Sequence, residues 1–288
     1  MKDFIQRFML EHTDLRGEFV RLNQSFYSII EQHYYPKPVK QFLGEVILAA
    51  VLLRGIIKLK GHLTIQLETS GAVQLLVAQC NDEYHIRAVA QYDEEADLAD
   101  LEQAFERGKL VVTIMPDNRI EPYQAIVPLQ HYSVTQALEF YFKQSEQIPT
   151  RLWLVVDDDI AAGLLLQKLP LSEKQQADKQ LENNHWKKLL DEPEKLNFKD
   201  LLRLEPKKLL LKIYGKNKVR IFNPKSVMFH CNCSVEKMGD NIRLLGKEDT
   251  YNLLKTNRYV TVTCEFCNHE HDFDKSDVDQ IFSSSQQH

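Results

Sequence analysis

Four of the five cysteines stand in two tight pairs, Cys231-Asn232-Cys233 and Cys264-Glu265-Phe266-Cys267, with thirty residues of chain between them. No other feature constrains the fold as much, because two short loops can fold back on each other and set four sulfurs around one tetrahedral ion. Soft thiolates select Zn²⁺, Cu(I) or iron–sulfur clusters, and the expectation is one zinc ion at a closed structural site. All four positions are then filled by protein, so no catalytic metal is implied. Such an ion decides folding: structural zinc contributes on the order of 10–16 kcal/mol in small peptides, whereas a core of about sixty residues supplies a few.

The first pair is spaced by a single residue, and this opens a second reading. A disulfide from Cys231 to Cys233 encloses one residue and is strained, hence oxidising and labile, while Cys264 and Cys267 have the spacing of a redox dithiol. The site then reads as a switch. On the metal, the four thiolates tie the two ends of the segment together; oxidised, each pair closes on itself and the long tie is gone. Loops of one or two residues remove little entropy from the unfolded chain, so two local disulfides do not replace the ion.

At 288 residues with 43% hydrophobic content the chain has material for about two domains. A formal net charge of −5 argues against generic nucleic-acid binding, and residues 226–288 hold six Lys and Arg against ten Asp and Glu. The longest apolar run, 42–57, is interrupted by Glu45 and Arg54 and reads as a buried helix, not a membrane span. The first residues have no signal-peptide pattern, and unpaired thiols suit a reducing compartment, so the expected location is cytoplasmic with no membrane association.

The pattern along the chain predicts an α+β fold: a mixed N-terminal core domain over 1–177, a metastable helical linker over 178–225, and a small C-terminal four-cysteine zinc domain over 226–288. Strand segments are expected at 4–9 and 18–22 around a polar turn at Arg16-Gly17, then helices at 25–33 and 39–58. A meander over 63–69, 73–80 and 84–90 follows, then a short helix near 98–106 and strands at 110–115 and 123–127. Ser133 opens a helix through a capping box, and 151–156 with 160–167 form a hairpin around Asp157, Asp158 and Asp159. Of the 29 residues 172–200, 13 are charged, yet Leu and Trp recur at helical spacing, which suits a helix that folds only when docked. Helices at 197–204 and 206–214, a strand at 219–222, strands at 227–229 and 259–263, and a helix at 247–255 complete the reading.

Cys80, at the end of a strand, reads as a small buried hydrophobe outside the switch. His230, His269 and His271 flank the pairs but are surplus to a four-thiolate tetrahedron, so their roles are peripheral. Phe266 is expected to pack on the zinc core and Glu265 to face water. Three consecutive carboxylates at 157–159 lack the alternate spacing of a calcium loop and read as a turn. There is no Gly-x-Ser-x-Gly elbow, phosphate loop or dinucleotide fingerprint, so no enzyme is expected.

Cys-x-Cys, the thirty-residue gap, Val262-Thr-Cys-Glu-Phe-Cys267 and Phe273-Asp274 together closely resemble the 33 kDa chaperonin family, redox-regulated heat-shock holdases of bacteria. The resemblance extends upstream through Gly61-His-Leu-Thr-Ile-Gln, Tyr123-Gln-Ala-Ile-Val-Pro-Leu, Tyr141-Phe-Lys-Gln-Ser-Glu-Gln-Ile-Pro-Thr and Gly163-Leu-Leu-Leu-Gln-Lys-Leu-Pro. It implies an ATP-independent chaperone that is inactive when reduced and zinc-bound and active after peroxide or hypochlorite oxidises the four cysteines. In that family the pair matching Cys264 and Cys267 responds first, the zinc is lost, and the linker matching 178–225 unfolds. Partners so implied are unfolded client proteins, a second copy when oxidised against a monomer when reduced, and ATP-dependent foldases downstream. The candidate client-binding residues are Leu181, Trp186, Leu189 and Leu190. Two other classes stand beside this one: a zinc-ribbon adaptor for nucleic acid or transcription machinery, against the local charge, and a thiol–disulfide oxidoreductase, without a thioredoxin-like βαβ context.

Overall fold

The computed structural model describes residues 2–11, 13–58, 60–117, 121–129, 133–169, 186, 189, 190, 193, 196–215 and 218–283. They divide into two units, Met1–Phe229 and His230–His288.

The first unit opens on an antiparallel pair, β1 (Phe4–Leu10) and β2 (Leu15–Leu22). The turn expected at Arg16-Gly17 lies earlier: Met9 pairs with Arg16 and Phe8 with Gly17 in the ladder. The glycine is there for close approach, not for a bend. A Cβ at residue 17 would sit 2.1 Å from the Phe8 ring, so only glycine lets that ring lie over β2.

Two helices follow, α1 (Gln24–Ile30) and α2 (Lys37–Ile56). Asn23 gives α1 no side-chain cap, and Asp3 caps it from outside, its carboxylate accepting from the backbone N–H groups of Asn23, Gln24 and Ser25. Pro38 sits in the first turn of α2, where its missing N–H costs nothing. From Val46 to Gly55 every residue of α2 is buried, as expected of a helix that is apolar all round.

The second sheet takes β3 (Gly61–Glu68), β4 (Val73–Asn81), β5 (His85–Tyr92), β6 (Lys109–Pro116) and β7 (Tyr123–Pro128), with α3 (Leu101–Ala104) between β5 and β6. Ser133 caps α4 (Val134–Tyr141), its Oγ accepting from Gln136 N. The sequence pattern did not indicate the next turn, a π-helical stretch over Phe142–Glu146 closed by Gln147 at φ 54°. There Glu146 accepts from the hydroxyls of Tyr141 and Tyr123, a side-chain network that holds the widened turn.

The chain then returns to the first sheet through the hairpin β8 (Thr150–Val156) and β9 (Ala161–Lys168), with Asp157–Asp159 in its exposed turn as expected. After α5 (Phe198–Arg203) and α6 (Pro206–Tyr214), the short strands β10 (Val219–Ile221) and β11 (Lys225–Ser226) both pair with β1, and β12 (Met228–Phe229) adds to β5 in parallel. The first sheet runs β10-β1-β2-β9-β8 and the second β12-β5-β4-β3-β6-β7.

Helix α2 packs on β2, β8 and β9 of one sheet and on β3, β4 and β5 of the other. It is the centre of the main core, with Leu22, Phe26, Leu43, Leu48, Ile65 and Leu165 among its buried members. The first sheet has a second apolar face, because alternation along β1, β2 and β9 turns Phe8, Leu10, Leu15, Phe19, Leu164 and Leu166 outward. Helices α5 and α6 cover it with Leu201, Leu202, Leu209, Leu210, Ile213 and Tyr214. Asn197 caps α5 and Gly215 follows α6, as their sequence signals require.

Candidate metal centre

Among the described residues, the core of the second unit is four buried apolar side chains, Ile242, Val260, Phe273 and Val278. They come from α7 (Val235–Leu245), β13 (Val260–Thr263), β14 (Glu270–Phe273) and α9 (Lys275–Ser283), with α8 (Lys247–Thr256) alongside. Sequence reading found α8 and β13 but not α7, β14 or α9. Phe266, expected on this core, is half-buried and lies outside the packed cluster, while Glu265 faces water as expected.

Local chemistry fixes both cysteine pairs. Cys231 and Cys233 lie on extended chain that runs straight into α7, whose first turn is capped by Ser234 Oγ accepting from Lys237 N. Lys237 Nζ reaches back 2.9 Å to the Asn232 carbonyl, fixing the residue between the two sulfurs. Cys264 and Cys267 sit in the turn joining β13 to β14. The Cys264 carbonyl accepts from the N–H groups of Cys267 and Asn268, Cys264 N donates to the His269 carbonyl, and Asn268 takes a left-handed φ of 52° to close the loop.

These two loops bring the four sulfurs together. Sγ of Cys231 is 3.6 Å from that of Cys264, and Sγ of Cys233 is 3.6 Å from that of Cys267. All four lie within 4.8 Å of one another, and all five cysteines of the chain are free thiols. The spacing suits a metal: four sulfurs about 2.3 Å from a tetrahedral zinc would be about 3.8 Å apart. Burial, and then the crowding of neighbouring sulfurs, pushes the thiols of Cys233 and Cys267 above the ordinary cysteine value. Four thiolates at this distance need a cation to share, and a coordinating metal is what deprotonates them together.

The surrounding residues take lesser roles. His230 is exposed, His269 contributes its carbonyl, and His271 on β14 stands edge-on to the His269 ring at 4.6 Å. Cys80 is in the other unit, fully buried on β4, where burial pushes its thiol up to about 12; it is the inert hydrophobe the sequence suggested. Of the residues read as client-binding, Leu189 is buried on the outer face of the first sheet, Trp186 and Leu190 pack half-buried beside it, and Leu181 lies outside the described residues.

With this site in place, comparison with known proteins identifies the line of descent. The family model described as Hsp33 protein matches residues 3–274. The chain belongs to the Hsp33 family. Hsp33 relatives named 33 kDa chaperonin include that of Ectopseudomonas mendocina, 38% identical over 99% of this chain and 97% of its own, and that of Methylobacillus flagellatus, 34% identical over 99% and 96%. The crystal structure of the 33 kDa chaperonin from Thermotoga maritima shares the fold, with a TM-score of 0.80 over 98% of both chains at 23% identity. Membership of a chaperone family sets aside the adaptor reading, which the acidic balance of 226–288 already disfavoured. No described helix of this Hsp33 chain is long and apolar enough to cross a membrane.

Proposed function

We propose that this Hsp33-family chain is an ATP-independent holdase held inactive by one zinc ion on Cys231, Cys233, Cys264 and Cys267, and activated by oxidation of those thiolates. The observation that carries this reading is a cluster of four free sulfurs in a unit that buries, among the described residues, an apolar cluster of only four side chains. Fold and sensor are then one thing, because whatever removes the ligands removes most of what stabilises the unit.

When bound, the ion supplies a fixed positive centre that keeps the four sulfurs as thiolates. The chain supplies the rest. Each equivalent of peroxide takes two electrons from two thiolates, forming one S–S bond and two waters with two protons from solvent, so two equivalents convert the site to Cys231–Cys233 and Cys264–Cys267. The segment then loses the tie across its thirty-residue gap, the linker over 178–225 unfolds, and apolar surface including Leu181, Trp186, Leu189 and Leu190 becomes available to unfolding clients. The three-part organisation (1–177, 178–225, 226–288), a dimer in the oxidised state against a reduced monomer, hand-over to ATP-dependent foldases, a cytoplasmic location and the lack of enzymatic turnover belong to the same proposal.

The test adds peroxide at mildly elevated temperature to the reduced, zinc-loaded protein. Zinc release, free thiols and aggregation of an unrelated unfolding protein are followed together, and the disulfides are mapped by peptide mass spectrometry. Loss of four thiols and one zinc with suppressed aggregation, reversed by reductant and zinc, is expected. Bonds linking Cys231 to Cys264 and Cys233 to Cys267, pairs whose sulfurs stand 3.6 Å apart across the loops, would defeat the pairing, because such bonds would keep the long tie. Persistent zinc with unaltered aggregation would defeat the switch.

A further inference from the structure

Arg21 is among the largest fully buried side chains of the molecule, 1% exposed, on a strand whose neighbours Phe19 and Leu22 are both fully buried. It points to the outer face of the first sheet, the face that α5 and α6 cover, with its guanidinium 5.2 Å from the centre of the Phe19 ring. A charge in that position has to be solvated by protein. Helix α5 provides this: Nε and Nη2 donate to the Leu201 carbonyl at 3.2 and 2.8 Å, and Nη2 donates also to the Leu204 carbonyl. Leu204 is the C-cap of α5. The carbonyls in question belong to the last turn of a helix, which has no N–H partners of its own to offer and carries the negative end of the helix dipole. One side chain of the sheet thus completes the end of one covering helix and sets where α6 begins, at Pro206 two residues on.

Among the described residues, the side chains that α5 and α6 bury against the sheet are apolar and pack without direction, while Glu205, between the two helices, adds an electrostatic attraction to Arg21. The buried side chains include a weak point, Tyr214, buried to 1% with no hydrogen-bond partner for its hydroxyl among the described residues. Apolar packing of this kind permits a helix to slide or turn; charge-assisted bonds to two particular carbonyls do not. Removing the guanidinium leaves the buried Leu201 carbonyl, and the part-buried Leu204 carbonyl beside it, short of donors, a penalty that falls on the docked state alone.

We propose that Arg21 is the latch that holds α5 and α6 on the first sheet: a positioning residue that fixes the docked linker through the C-terminal carbonyls of α5. Its part in chaperone activation rests on the function proposed above; its part in docking does not. The latch lies in the first unit and involves no sulfur, so it can be opened with the thiols reduced and the zinc in place.

The experiment uses the full-length chain, reduced and zinc-loaded, with Arg21→Met, which keeps length and apolar stem, and Arg21→Lys, which keeps one charged donor. Amide hydrogen exchange is read at 198–214 and, as an internal reference, in α2. Exchange at 198–214 is expected to rise at least about tenfold relative to α2 in R21M, and less in R21K, with zinc content and four reactive thiols unchanged. Exchange at 198–214 that rises no more than in α2, or rises equally in both variants, overturns the latch. Aggregation of an unfolding protein is measured on the same samples. Suppression by reduced R21M is expected; a released linker without suppression leaves the latch standing and removes linker release from the proposed activation.

Discussion

The core around α2 and the core beneath the four sulfurs solve the same problem in opposite ways. The first is built from a helix buried over ten consecutive positions between two sheets, and it needs nothing but water to drive it together. The second has Ile242, Val260, Phe273 and Val278, and the single core of so small a unit rarely supplies more than about 3–5 kcal/mol of net stability. The first is therefore constitutive, whereas on the proposed function the second is conditional on chemistry at four side chains. A sensor has to be the conditional part. Oxidant has nothing to act on in the main core, where Cys80 is buried with its thiol held protonated.

The largest effect that tests this contrast comes from Cys264→Ser combined with Cys267→Ser. The proposed zinc site would lose two of its four ligands, and such a site contributes on the order of 10 kcal/mol. Zinc content is expected to fall from one per chain to near zero, and amides of 230–283 to lose exchange protection while α2 keeps its own. Stoichiometric zinc in this variant, or a protected second unit without it, would break the contrast.

The converse test is Leu48→Ala. Leu48 is fully buried on α2, and truncation of a packed leucine costs about 2–5 kcal/mol. The urea midpoint of the first unit is expected to drop accordingly, with zinc content and thiol reactivity as in the parent. Loss of zinc from this variant would show that the second unit is not held by its metal alone.

How much of this was legible in the chain divides along the same line. Periodicity located the strands of the two large sheets, apart from the two-residue β11, and the α2 helix, because burial leaves long apolar runs or clean alternation. The four sulfurs were legible too, since their spacing is their geometry. Helices α7 and α9 were not, because a unit that buries few apolar residues writes a faint pattern. The signals that were present are caps: Ser234 before α7, and before α9 the reciprocal pair in which Asp277 N donates to the Asp274 carboxylate and Asp274 N to that of Asp277. Gly17 was misread as a turn because the ring it makes room for is nine residues back along the sequence and adjacent only in the ladder. Arg21 gave no signal at all. A charge inside Phe19-Val20-Arg21-Leu22 looks like an exposed strand position until the helix that receives it is in place.

The smallest expected effect separates the two cores by pH. Glu45 lies on α2, half-buried, and the Gln41 amide one turn earlier donates to its Oε1 at 3.4 Å. Burial outweighs that bond and raises the carboxyl to about 7. A carboxyl with a folded pKa above its unfolded value binds its proton more tightly in the native state. Its contribution to stability is complete below about pH 4.5 and is lost as pH rises through about 7, so alkali weakens the first unit. The proposed metal gives the second unit the opposite sign, because acid would return protons to the ligating thiolates and so compete with it. Glu45→Gln keeps the shape and removes the proton. It is expected to raise the stability of the first unit by roughly 1–3 kcal/mol at pH 8, to leave it unchanged near pH 4, and to leave the pH dependence of zinc retention as it was. Parallel urea midpoints for parent and variant from pH 4 to pH 8 would mean that Glu45 is solvated in the native state and does not set the pH dependence of the main core.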